Sequence, residues 1–349
     1  MRRKTKKRLK VTAVILAIII VAYLLIAFLP VSPNYKGENI MRKPSDMPIL
    51  IAHGGGNKEF PDNTLEAFIN AYSVDKNVMM ETDVSITKDG VVILSHDTTI
   101  DRKTDNVGNI IDWNYSDLVK DGEEVDFGYT NPTKDGILSG ERKHFKNDEG
   151  KEIYPTDVPK IEGFEIPESV HARHETKFLA TTLEDLILTF PENRINVEIK
   201  QDGENGIKCF EAVIKLLEKH DAFDRVVLAS FHSEMYDTYR KWQKEGKVPE
   251  NFMYSPGTDG ATRYFILHLL MLDRFFTDGM CVFQLPMEEM GFSLATKRLV
   301  ENAHKHNLAV HYWTINDEED MRYLIEIGAD GIMTDYPHKL AKVYEEYSK

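Results

Sequence analysis

Short apolar runs recur along the chain, and longer segments with helical spacing fill the gaps between them. The runs cover residues 49–53, 80–86, 195–200, 226–230, 252–255, 281–285, 308–314 and 330–334. Each has the length of a strand buried on both faces, as in parallel sheets covered by helices. Asn63-Thr64-Leu65-Glu66 reads as a helix start, with a capping side chain and an early acid ahead of apolar Leu65, Phe68 and Tyr72. Further helices are expected over 182–190, 207–219, 233–243, 261–273, 294–306, 317–327 and 337–347. Eight strand–helix units without an internal repeat predict an α/β fold, a (β/α)8 TIM barrel, over residues 48–349. A doubly wound open sheet is the competing architecture. It would favour a glycine-rich nucleotide turn, and Gly54-Gly55-Gly56 stands in the right place without the G-x-G-x-x-G spacing.

Residues 104–181 break this rhythm. They are polar, with only short apolar patches, and form a long insertion after the second strand. Insertions of this length in a compact domain are usually lids or functional loops, and the position of this one predicts a place over the catalytic mouth.

The N-terminus differs in kind. Residues 1–10 carry seven positive charges and no negative one, and residues 11–29 then run for 19 positions without a charge. At about 1.5 Å per residue such a run covers roughly 30 Å, the hydrocarbon thickness of a bilayer. A cleaved signal peptide is the alternative, but its apolar core is shorter and ends in small residues. Here the exit is Phe28-Leu29-Pro30-Val31-Ser32-Pro33. The reading is a single transmembrane anchor in the cell membrane, followed by a polar linker at 30–47. The basic flank stays cytoplasmic by the positive-inside rule, which leaves the barrel extracytoplasmic. The whole chain carries −14 and its first ten residues +7, so the rest carries −21. That balance excludes nucleic acid as a partner, because phosphate backbones require a basic surface. Oligomeric state is not legible. Cys209 and Cys281 offer one disulfide at most and no zinc pattern.

Chemistry in a TIM barrel gathers at the C-terminal ends of the strands. Those ends carry His53, Glu81, Asp83, Glu198, Lys200, Ser230, Gln284, Trp313 and Asp335. Glu81 and Asp83 are two apart, so they share a face, and Glu198 and Lys200 repeat the arrangement on the next strand. Three carboxylates and a lysine converging on the mouth describe an oxygen-ligand site for a hard divalent cation, Ca²⁺ or Mg²⁺. Structural ion pairing is the plainer reading of any one of these acids. His53 and His96 flank the cluster, and His96 lies beyond the Asp89-Gly90 turn in Ser95-His96-Asp97. Phosphodiester hydrolysis needs these parts: a cation for the phosphate oxygens, a proton acceptor for the nucleophile and a proton donor for the leaving alkoxide. Histidine suits both proton roles near neutral pH.

From residue 49 to 337 the chain resembles the glycerophosphodiester phosphodiesterases. The resemblance is carried by Ile51-Ala52-His53-Gly54-Gly55, Pro61-Asp62-Asn63-Thr64-Leu65-Glu66-Ala67-Phe68, Glu81-Thr82-Asp83 through Asp89-Gly90, Ser95-His96-Asp97 and Asp101-Arg102. It continues in Thr182-Leu183-Glu184, Val197-Glu198-Ile199-Lys200, Tyr312-Trp313-Thr314-Ile315-Asn316 and Gly328-Ala329-Asp330 through Tyr336-Pro337. The resemblance implies a TIM barrel that cleaves a glycerol-phosphate diester into an alcohol and glycerol 3-phosphate. It implies His53 and His96 as the acid–base pair, Glu81, Asp83 and Glu198 as metal ligands, Lys200 as a phosphate contact and Trp313 as a pocket wall; Gln284 joins the substrate-binding set from its strand end. In the family's scheme the glycerol 2-hydroxyl attacks phosphorus and water opens the cyclic phosphate.

Two positions depart from the family pattern. His53-Gly54-Gly55 stands where His-Arg-Gly is usual, and Pro61-Asp62-Asn63-Thr64 where Pro-Glu-Asn-Thr is usual. A guanidinium near the phosphate is thus missing, and Arg102, Arg142, Lys143, Arg173 and Lys177 are candidates to replace it. Substrate range is open between soluble glycerophosphodiesters, lysophospholipids and wall polymers of glycerol phosphate. A retired, binding-only barrel is the alternative of another class.

Overall fold

The computed structural model describes residues 2–27, 31–130, 142–170 and 173–347. Its strands are β1 (Ile49–Ala52), β2 (Met79–Ile86), β3 (Val92–Leu94), β4 (Ile195–Ile199), β5 (Val226–Ala229), β6 (Met253–Tyr254), β7 (Val282–Leu285), β8 (Glu288–Glu289), β9 (Phe292–Ser293), β10 (Ala309–Tyr312) and β11 (Gly331–Thr334). Eight of them run in parallel in the order β6-β5-β4-β2-β1-β11-β10-β7. The gap between β6 and β7 is bridged where the Cys281 N–H donates to the Tyr254 carbonyl at 3.3 Å. Helices Leu65–Val74, Leu183–Thr189, Gly203–Lys219, Ser233–Lys244, Thr258–Leu269, Lys297–Lys305, Glu318–Glu326 and Pro337–Tyr347 follow the successive ring strands. This is the expected (β/α)8 barrel.

Local chemistry sets these elements. Thr64 caps the first barrel helix by accepting from the Ala67 N–H, and Thr182 and Asp185 form a reciprocal capping box. Such caps are worth about 1 kcal/mol each. The helix at Gly203–Lys219 begins four residues before the expected 207. Gly203 and Gly206 look like loop residues, yet a Cβ on Gly206 would lie 2.3 Å from the Gln201 carbonyl oxygen, so glycine permits that close approach. The expected strands also overshoot at the mouth. His53, Lys200, Ser230, Ser255 and Thr314 lie past the strand ends, where the ladder stops and the chain splays into loops.

The barrel wall alternates as a pleated strand requires. Ile49, Ile51, Met79, Val227, Met253, Ala309 and Met333 pack inside the ring. Leu50, Ala52, Met80, Val197 and Leu228 face the helices in the larger core. The linker closes the N-terminal end of the ring. Met41 is fully buried, Asn39 Nδ2 donates to the Cys281 and Asn307 carbonyls at 2.7 Å each, and His311 Nε2 meets the Met41 carbonyl at 2.8 Å. The opposite end of the ring is therefore the open one.

The insertion is less featureless than its composition suggests. Ile110, Leu118, Val125, Phe127, Phe145, Ile153 and Phe178 bury a second small core against Phe60, Ala67 and Ile93. Parts of the expected lid, residues 131–141 and 171–172, lie outside the described residues. Residues 28 and 29 of the expected anchor and residue 30 of the expected linker do so too. Helix Arg2–Ala27 contains one segment, Arg8–Ile26, long and apolar enough to cross a membrane and nowhere buried against protein. Both cysteines are buried and unbridged.

Candidate active site

The first strand delivers His53 into a tight turn in which Gly54, Gly55 and Gly56 all have positive φ. A Cβ on Gly55 would lie 2.6 Å from Ala67 Cβ, so the turn can press against the first barrel helix only as glycine. The Gly54 N–H donates to Glu81 Oε2 at 2.9 Å. His53 Nδ1 lies 2.6 Å from Asp335 Oδ1, past the end of β11, and Asn316 donates to the other oxygen of Asp335 at 2.7 Å. Burial opposes a charged imidazole here. The Asp335 hydrogen bond and the nearby Glu81, Asp335 and Asp83 charges outweigh it and push His53 up to about 9.

His96 follows β3 and is pinned in the same way. Its Nδ1 lies 2.8 Å from Asp97 Oδ1, and Asp97 in turn accepts from Arg102 Nε at 2.7 Å. Arg102 forks onto Asp62 with two bonds of 3.2 Å, and the buried Lys103 reaches Asp62 at 3.0 Å. Burial alone would raise the Asp62 carboxyl, but Lys103 and Arg102 hold it far below the usual carboxylate range. The hydrogen bond to Asp97 raises His96 against its partial burial.

Between the histidines, Glu81, Asp83 and Glu198 bring ligand oxygens within 4.8 Å of one another. Met79, Glu81 and Asp83 share the inner face of β2, and Asn196 and Glu198 that of β4, with Asp83 paired in register with Glu198. Asn63, at φ 59°, donates to Asp83 at 3.0 Å and accepts from the Asp83 N–H and the Thr82 hydroxyl. Lys200 Nζ sits 2.9 Å from Asp83 and 2.7 Å from Glu198. Burial, with Asp83 and Glu198 close by, drives the Glu81 carboxyl upward. Burial likewise raises Glu198 despite Lys200. Three carboxylates and one ammonium leave an excess of two negative charges when all ionise, and that donor set fits a hard divalent cation.

Two cavities meet at the histidines. One of about 310 Å³ is lined by His53, Glu81, His96, Glu198 and Lys200, with Trp313, Phe231 and Gln284 on its far side. Gln284 Nε2 and Asn196 Oδ1 border this space buried and without a hydrogen-bond partner. Phe231 meets Trp313 edge-on at 6.0 Å. The other cavity, about 1050 Å³, is lined by His53, His96, Asp62, Arg102 and the insertion's Arg142 and Lys143. Of the cations considered as replacements for the missing motif arginine, those three border the site. Arg173 instead pairs with Glu66, and Lys177 with Glu124. A Cβ on Gly54 would point at Asp62 Cβ, 3.1 Å away, toward the carboxylate that Arg102 grips.

The structure thus brings His53, His96, Glu81, Asp83, Glu198, Lys200, Trp313 and Gln284 to one mouth. Sequence reading gave no role to Asp335, Asp97, Asn316, Asn63 or Asn196. Asp97 adjoins His96 in sequence, Asn316 ends one late motif block and Asp335 lies inside another, so both carboxylate partners of the histidines stood within the motif blocks.

The glycerophosphoryl diester phosphodiesterase family model matches residues 53–339. The chain is 25% identical over 296 residues to the glycerophosphodiester phosphodiesterase of Caldanaerobacter subterraneus, covering 84% of this chain and 96% of that one. It is 25% identical over 317 residues to the human lysophospholipase D GDPD3, covering 86% of each. Its fold matches a putative glycerophosphoryl diester phosphodiesterase from Silicibacter pomeroyi with a TM-score of 0.60 at 18% identity, over 88% of this chain and 96% of that one. An Oleispira antarctica phosphodiesterase in complex with sn-glycerol-3-phosphate matches with a TM-score of 0.57 at 19% identity, over 86% and 97% of the two chains. With the family model spanning the barrel from His53 onward, the chain belongs to the glycerophosphoryl diester phosphodiesterase family.

Proposed function

We propose that this chain hydrolyses a glycerophosphodiester to an alcohol and glycerol 3-phosphate, using a divalent cation held by Glu81, Asp83 and Glu198. The observation that carries this reading is the pairing of each histidine Nδ1 with a carboxylate, on either side of a three-carboxylate cluster. Asp335 and Asp97 fix the ring orientations, which leaves each Nε2 for proton transfer. One histidine takes the proton of the attacking hydroxyl, and the other gives one to the departing alkoxide. Lys200 places a positive charge beside the phosphate. Gln284 and Asn196, with unmet donor and acceptor capacity, suit the glycerol hydroxyls. The bound cation supplies charge neutralisation at the phosphate oxygens.

The uncharged run 11–29, most of it within helix Arg2–Ala27, is read as a membrane anchor, with the basic end cytoplasmic and the barrel outside. A lysophospholipase D-type substrate is the second reading, favoured by the human relative and by the aromatic wall of Phe231 and Trp313. The test is release of glycerol 3-phosphate or of lysophosphatidate from the two substrate types by the full chain, with cation added or chelated. Product from neither substrate in the presence of cation would remove both readings.

A further inference from the structure

Among the described residues outside the N-terminal helix, the large apolar side chains that are half exposed or more fall, apart from Phe231 at the mouth, in one stretch of the barrel between Ile266 and Phe292. Ile266, Leu269, Leu270 and Phe275 lie within ten residues at the end of helix Thr258–Leu269 and just past it, each about half exposed. Phe292, also about half exposed, sets its ring 5.9 Å from that of Phe265, one helical turn before Leu269. Beside it Met290 is 87% exposed in the turn of the β8–β9 hairpin. Single exposed apolar residues are ordinary, but a contiguous set marks a contact surface.

The chain itself indicates what covers this flank. The Tyr23 hydroxyl of the N-terminal helix donates to the Leu270 carbonyl. Tyr23 lies six residues before Leu29, the last residue of the uncharged run. That is about 9 Å inside the run at 1.5 Å per residue, and an interfacial helix buries its apolar face about 5–10 Å deep. The tether is also short. Asn34 is already fixed to the barrel, its N–H donating to the His306 carbonyl at 2.7 Å. Asn34 lies eight residues beyond Ile26, where the membrane-competent segment ends, so the barrel stands at most about 29 Å from that point. Electrostatic attraction is not the force. Residues 11–349 carry −21, and Glu288 and Glu289 lie exposed in the hairpin.

We infer that the flank formed by Ile266, Leu269, Leu270, Phe275, Phe292 and Met290 docks into the bilayer that holds the anchor. The barrel then lies on its side, with the hairpin after β7 at the lipid surface. This inference rests on the reading of residues 11–29 as a membrane span.

The test uses the full chain in phosphatidylcholine vesicles containing brominated lipid, with an environment-sensitive fluorophore on a single introduced cysteine. Cys209 and Cys281 are buried, so labelling goes to the new site. The variants are L16C in the anchor, L270C and F292C on the flank, and K76C, exposed beyond helix Leu65–Val74 on the far side of the ring. The expected result is quenching of more than about half at Leu16, Leu270 and Phe292 and almost none at Lys76, as for shallow insertion of an apolar face. Quenching at Leu16 without Leu270 and Phe292 would overturn the docking and leave the anchor standing. Absence of quenching at Leu16 would overturn the anchor reading and the docking with it.

Discussion

His53 and Asp335 are 282 residues apart in sequence, and their side chains meet at 2.6 Å. Closure of the ring makes this contact, since β11 pairs with β1 from Ile49↔Gly331 to Ala52↔Thr334. Asn316 anchors the second Asp335 oxygen, so the carboxylate is fixed before it meets the imidazole.

Asp335→Asn keeps the shape and loses the charge that orients and stabilises the protonated ring. The expected outcome is a fall in kcat of about a hundredfold or more with KM changed little, because such a partner acts mainly in the transition state. Steady-state kinetics on a soluble glycerophosphodiester checks it. A change confined to KM would point to substrate binding instead.

Gln284 and Asn196 border the smaller cavity with a buried donor and a buried acceptor unmet. Gln284→Leu is expected to leave the melting temperature equal or raised, since no hydrogen bond is lost. KM should rise about tenfold, the worth of one hydrogen bond at about 1–1.5 kcal/mol. Thermal unfolding and kinetics on one preparation separate the two effects.

Asp62 is nearly buried between Arg102 and Lys103 and ionises well below the ordinary carboxylate range. Its folded-state pKa is depressed, so its stabilisation is fully present above the unfolded value of about 3.9 and is lost as pH falls below it. Urea unfolding from pH 7 down to 3 should show a loss that steepens below about pH 4, and that slope should shrink in Asp62→Asn. At pH 7 the variant should be less stable by about 3 kcal/mol, because Lys103 and Arg102 lose their buried counter-charge.

Lys200 occupies two of the three carboxylates that would hold a cation. Lys200→Met removes a positive charge about 3 Å from those oxygens, so the cation should bind about tenfold or more tightly while turnover falls. Calorimetric titration of Ca²⁺ and Mg²⁺ measures the first, and product release the second. Weaker cation binding would place the ligand set elsewhere.

The fold was legible because each barrel strand is a short apolar run and each helix carries helical spacing. The run 281–285 and the interior of β7 coincide almost residue for residue. Less legible were features made by contact at a distance. The second core of the insertion joins Phe60 to Phe145 and Phe178 with no periodicity to announce it. Glu81 and Asp83 could be read as neighbours because a strand's period is two. Asp335 met His53, and Asn316 met Asp335, only when the late strands closed the ring, whereas Asp97 pairs locally with His96 and Arg102. The hairpin of β8 and β9 was missed because Glu288-Glu289 has no apolar alternation.

The central claim is tested most directly by the full chain acting on glycerophosphocholine, with glycerol 3-phosphate followed over time. Wild type should release product with Ca²⁺ or Mg²⁺, lose it in chelator and regain it on cation addition. His53→Ala, His96→Ala and Glu81→Gln should each fall by about a hundredfold or more. Undiminished release after exhaustive chelation, or from either histidine variant, would contradict the account.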